Sequence, residues 1–100
     1  MKEIMEYTIN SEYIKDIIFN KCQWDNKYPY NEIGILFWLD ANSINIKIMP
    51  INDKCYIWIG YDKSSDDIFT ADYNEYETFD DALNCALVEC ICYLSLKYKK

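Results

Sequence analysis

The residues able to do chemistry are concentrated in one fifth of the chain. Residues 62–81 hold eight carboxylates, Asp62, Asp66, Asp67, Asp72, Glu75, Glu77, Asp80 and Asp81, with Lys63 as the single base among them. Glu75 and Glu77 are two apart, so in extended backbone they share a face at about 6–7 Å. Asp80 and Asp81 continue the field at the start of a helix. Such an array can imitate a run of phosphates and occupy a basic cleft on another protein. The ordinary alternative is that acids favour turns and first helical turns, where most of these fall. The stretch from Asp62 also begins like a calcium loop, with Asp62, Ser64 and Asp66 alternating. The sixth and twelfth places, which need glycine and glutamate, hold Asp67 and Tyr73. A solvated turn is therefore expected there.

The remaining chemistry is defined mostly by missing types. All ten bases are lysine, and there is no histidine. That removes Ser-His and Cys-His nucleophiles and any imidazole metal ligand. No glycine-rich loop is present to cradle phosphate, so nucleotide hydrolysis and dinucleotide redox chemistry are not expected. Five cysteines, Cys22, Cys55, Cys85, Cys90 and Cys92, contain no C-x-x-C pair. A thiolate zinc site wants four ligands in close-spaced pairs, so these read as small buried hydrophobes. The expectation is a protein that is not an enzyme and holds no metal or cofactor. Trp24, Tyr28 and Tyr30 surround Pro29 in a loop, where such side chains suit either interface anchoring or the rim of a core.

The elements that must position these groups follow from periodicity. The first ten residues are ambiguous between strand and helical turn. From Ser11, placed as N-cap, Tyr13, Ile14, Ile17, Ile18 and Cys22 fall on one helical stripe. Pro29 disfavours helix before it. A second helix is expected over residues 32–41, capped by Asn31, with Ile33, Leu36 and Phe37 on its apolar face. Gly34 within it suggests close approach to a neighbouring element. Ile44, Ile46 and Ile48 then alternate with Asn45, Lys47 and Met49 as a half-buried strand closed by Pro50. After a turn over residues 51–54, CYIWIGY is apolar on both faces and reads as the central strand. IFTADY is a third strand. Thr78 with Asp81 resembles a capping box for the last helix, whose stripe runs through Ala82, Leu83, Ala86, Leu87, Cys90, Ile91 and Leu94. Lys97, Lys99 and Lys100 complement its dipole.

The expected fold class is α+β: a three-stranded antiparallel meander packed against a long C-terminal helix, with one or two N-terminal helices. A chain of 100 residues with 51% hydrophobic and 17% aromatic content is read as a single domain, residues 1–100, with a self-supporting core. A formal charge of −7 and the lack of arginine argue against direct binding to nucleic acid. They favour a protein partner with a basic surface, the competing view being that the charge only keeps a tyrosine-rich chain soluble. No charged-then-apolar leader and no bilayer-length apolar run stand out. A reducing, cytoplasmic location without membrane partners is expected.

The run FWLDANSINIKI, followed by YIWI and ETFDDALNCALVECICYL, resembles small proteins carried by phages and other mobile elements of gut bacteria. The likeness covers about residues 33–94. It implies a tryptophan-leucine helix, alternating strands and an acid-capped final helix, and it brings no enzymatic role. The strand-strand-strand-helix portion is also similar to the antitoxin domain of HicB-type toxin–antitoxin pairs. Together these give the expected function. The chain is an acidic mobile-element accessory protein that binds and inhibits a host defence or nucleic-acid-handling protein by nucleic-acid mimicry. The alternative is an antitoxin-like regulator or homo-oligomeric scaffold, with a homodimer as the partner state.

Overall fold

The computed structural model describes residues 7–51 and 55–98, with only the backbone of Asp67, residues 69–75 and Tyr98. The expectations for the first six residues, for residues 52–54 of the turn, and for Lys99 and Lys100 lie outside the described residues. Element order is helix, helix, strand, strand, strand, helix.

The first helix, α1, is α-helical over Glu12–Asp16 and widens into a π-helical segment over Ile17–Lys21. The Cys22 amide donates to the Ile17 carbonyl, five residues back, at 3.1 Å. Ile14, Ile17, Ile18 and Cys22 all reach the core. Gln23, at φ 57°, then turns the chain out of the helix. Two expectations are corrected here. Tyr13 is exposed, because the stripe follows Ile14 instead. Ser11 occupies the N-cap position, but its hydroxyl accepts from the Thr8 amide and caps no helical amide.

Helix α2 (Glu32–Ala41) begins at Asn31, whose side chain accepts from the Gly34 amide at 2.8 Å. Gly34 is required by contact: a β-carbon there would lie 1.7 Å from the Pro29 carbonyl oxygen. The expected apolar face is corrected by rotation. Ile33 and Phe37 are exposed, while Gly34, Ile35, Trp38 and Leu39 are buried. Ser43, at φ 70°, ends the helix and leads directly into the sheet.

Strands β1 (Ile44–Pro50) and β2 (Tyr56–Asp62) share an uninterrupted antiparallel ladder from Ile44–Asp62 to Pro50–Tyr56. The expected plain three-stranded meander is corrected, because this regular ladder joins only two strands. The third, β3 (Asp67–Tyr76), lies beside β2 with its register broken twice, between Tyr56 and Trp58 and between Gly60 and Tyr61. Ten residues of β3 face seven of β2, so the breaks absorb three extra residues (10 − 7 = 3), one near Phe69 and two within residues 73–75. Such bulges bend a strand and interrupt its alternation. Within the α+β class, that is why the expected IFTADY strand is both longer and less regular than its sequence suggests.

Helix α3 (Phe79–Tyr98) lies across one face of the sheet, against all three strands, and also meets α1 and α2. Thr78 Oγ1 accepts from the Asp81 amide at 3.0 Å, as the sequence pattern implied. Ala82, Cys85, Ala86, Leu87, Val88, Cys90, Ile91 and Leu94 are buried against Trp58, Ile44, Ile35, Trp38 and the α1 isoleucines. Burial of an apolar stripe this long is the main stabilising term, at about 25 cal/mol per Å² removed from water.

Candidate functional site

The starts of α2 and α3 meet the segment Thr8–Ser11 at one end of the molecule. That segment is folded on itself, with the Ser11 amide donating to the Thr8 carbonyl and the Asn10 amide to Thr8 Oγ1. Asn84 Nδ2 of α3 holds it through the Tyr7 carbonyl at 2.9 Å. Tyr30 Oη donates to the Ile9 carbonyl, and burial raises the Tyr30 hydroxyl above its ordinary value. The result is a groove of about 700 Å³ lined by Ile9, Ile33 and Leu83, by the polar Thr8, Asn10 and Asn84, and by Glu32, Asp80 and Asp81. All three carboxylates are exposed and belong to first helical turns, where the helix dipole favours them. Ile33 is 64% exposed, an apolar group in open water beside three acids.

The acidic tract does not form one surface. Asp66 sits in the β2–β3 turn at φ 56° and accepts from Tyr61 Oη. Asp67 opens β3, Asp72 pairs in register with Trp58, and Glu75 falls in the second break. The side chains of these three lie outside the described residues. Glu77 is exposed just beyond the strand end, so extended pairing stops between Glu75 and Glu77. Asp62–Asp67 and Tyr56–Tyr76 are the two end rungs, six steps apart along β2 or roughly 20 Å. Asp66 and Asp67 thus mark one pole, and Glu77, Asp80 and Asp81 the other. Glu32, thirty residues before the tract, joins Asp80 and Asp81 at the second pole through the fold.

The aromatic loop is largely pinned. Trp24, Tyr28 and Tyr30 are half-buried, and the Trp24 ring lies 5.1 Å from buried Trp38 and 5.4 Å from Tyr30. Phe19, 43% exposed, closes the cluster against Tyr30 at 5.1 Å. Its edge-on and tilted rings suit stacking within the fold.

What sequence reasoning missed is the burial of Asp62. It is not in a solvated turn: it ends β2 and is only 1% exposed. Oδ1 accepts from the Ser64 amide and Ser64 Oγ, and Oδ2 from Tyr93 Oη at 2.7 Å and Lys97 Nζ at 3.0 Å. Burial alone would push this carboxyl up. The hydrogen bonds from the Ser64 side chain, Tyr93, Lys97 and the Ser64 amide outweigh it and hold the group well below the usual carboxylate range. Lys97 also donates to Ser64 Oγ at 3.0 Å. A serine whose proton is spent on a carboxylate, beside an ammonium paired to the same carboxylate, is a clamp and not an activated nucleophile. Strand parity carried the signal, since Trp58, Gly60 and Asp62 share the buried side.

The cysteines do not cluster for chemistry either. Cys22, Cys85 and Cys90 are buried, and Cys22 Sγ faces the Ile91 carbonyl at 3.8 Å. Burial, helped by neighbouring Cys92, pushes the Cys22 thiol up to about 11. Burial also raises Cys90 and Cys92, both assisted by Glu89. Among the described residues no helix is long and apolar enough to cross a membrane. No family model, curated protein or solved structure matches the chain.

Proposed function

We propose that the chain works by binding a protein with a basic surface, and that the groove between the starts of α2 and α3 takes an apolar and cationic segment of that partner. The carrying observation is the juxtaposition of exposed Ile33 and half-buried Leu83 with Glu32, Asp80 and Asp81 around one groove of about 700 Å³. The exposed apolar side chains supply affinity, and the three carboxylates, all of one sign, select a cationic partner and speed encounter. A basic nucleic-acid-handling cleft fits this chemistry, so the chain would act as an inhibitor or accessory factor.

The test uses a labelled amphipathic helical peptide of leucine and lysine, followed by fluorescence anisotropy. Binding should fall steeply as salt rises. The triple variant Glu32→Gln, Asp80→Asn, Asp81→Asn should weaken it by about tenfold or more. Equal affinity for wild type and variant would remove the groove from the function.

A further inference from the structure

The two edges of the sheet are not equivalent. Strand β3 carries two register breaks and, by sequence, Asp67, Asp72 and Glu75, devices that discourage pairing with another strand. Strand β1 is regular along all seven residues, and among the described residues no other backbone bonds to its outer side. Its outward groups follow from two hydrogen bonds. Lys63 N–H donates to the Ser43 carbonyl, and Ile51 N–H donates to the Cys55 carbonyl. Hydrogen-bonded pairs recur at every second residue of an antiparallel ladder. Odd-numbered residues of β1 therefore bond to β2, and Ile44, Ile46, Ile48 and Pro50 turn their main-chain groups outward. Pro50, which has no N–H to offer, lies on the side where the β1–β2 ladder loses nothing.

We infer that β1 is a self-association edge, pairing antiparallel with β1 of a second copy about a two-fold axis at Ile46. Three observations select this occupant and register. With Ile46 on the axis and Ile44 opposite Ile48 of the other copy, all three outward N–H groups of each chain find carbonyls. That makes six new hydrogen bonds (3 + 3 = 6). Shifting the axis to Lys47 would keep six hydrogen bonds, since Pro50 entering the ladder can only accept, but would set two lysines face to face. In the Ile46 register, Lys47 instead lies opposite Asn45 of the other copy. Asn45 Nδ2 already holds Asp40 Oδ1 at 2.7 Å and Lys63 Nζ pairs with the same oxygen at 3.1 Å, so the incoming ammonium shares this carboxylate with Lys63. Finally, Ile46 and Ile48 share the helix-covered side with buried Ile44 yet remain half-buried, as the outermost strand of one copy must leave them. The second copy's isoleucines complete that cover, on the same side of the joined sheet.

Light scattering across a dilution series, together with amide hydrogen exchange of the full chain, tests this directly. The expected result is a two-chain mass at high concentration, with Ile44, Ile46 and Ile48 amides protected and that protection lost on dilution. Asn45, Lys47 and Met49 should stay protected throughout. Lys47→Glu, at an exposed position, should weaken association by about tenfold, and adding Asp40→Lys should restore it. Unchanged far-ultraviolet circular dichroism would show that both variants fold. A one-chain mass at every concentration, or a dimer whose three isoleucine amides exchange freely, would overturn the proposal. So would an association indifferent to Lys47→Glu.

Discussion

At the scale of single residues, Asp62 is the group on which the C-terminal end of α3 depends. Its four hydrogen bonds tie the β2–β3 turn to Tyr93 and Lys97. Asp62→Asn keeps the shape but loses the charge that Lys97 and Tyr93 answer, and should cost about 2–3 kcal/mol in urea unfolding. The pH dependence has a definite sign. The folded-state carboxyl is held below its ordinary value, so its contribution is full above about pH 4. It is lost progressively as pH falls below that toward the folded value. Wild-type stability should therefore drop through the acid range more steeply than that of Asp62→Asn. Parallel curves would deny Asp62 this role. Gly34→Ala should be at least as harmful as Asp62→Asn, because backbone and not a flexible side chain fills the space. The need at Gly34 was legible, since glycine weakens a helix interior and is best explained there by close approach of a neighbour. The burial of Asp62 was not, because DKSSDD has the composition of a solvated turn and only strand parity argues otherwise.

At the scale of elements, the sequence spoke clearly where a pattern had one period and poorly where it had none. Alternation in residues 44–49 and the stripe and cap of α3 placed β1 and α3 well. Helix α2 is apolar nearly all round, so its periodicity marks no single face, and Gly34, Ile35, Trp38 and Leu39 occupy the core in place of Ile33 and Phe37. Ile35→Ala should thus cost about 2–5 kcal/mol, whereas Phe37→Ala should cost under about 1. A reversal of that order in thermal or urea unfolding would mean that the helix is rotated. Bulges in β3 were invisible for a related reason: an inserted residue leaves composition unchanged and destroys the alternation that would reveal a strand. The thiols give a further check on α1 and α3. Half-buried Cys55 should react with an aromatic disulfide reagent first, and buried Cys22, Cys85 and Cys90 only on unfolding. Fast labelling of Cys90 in the native protein would contradict the packing of α3.

At the scale of the whole molecule, the fold carries the two ends of the acidic tract to separate poles. Linear sequence suggested one acidic tract, because it cannot show that a strand carries its two ends about 20 Å apart. Nor could it show that Glu32 would join Asp80 and Asp81 around Ile33 and Leu83. The groove is a tertiary product of two helix starts and the strapped Thr8–Ser11 segment. The most direct test of the account is amide shift mapping as the leucine-lysine peptide is titrated into isotopically labelled protein. Changes should centre on Thr8, Ile9, Ile33, Leu83 and Asn84 and shrink as salt rises. Changes centred on Trp24 and Tyr28, or spread without focus along β3, would contradict it.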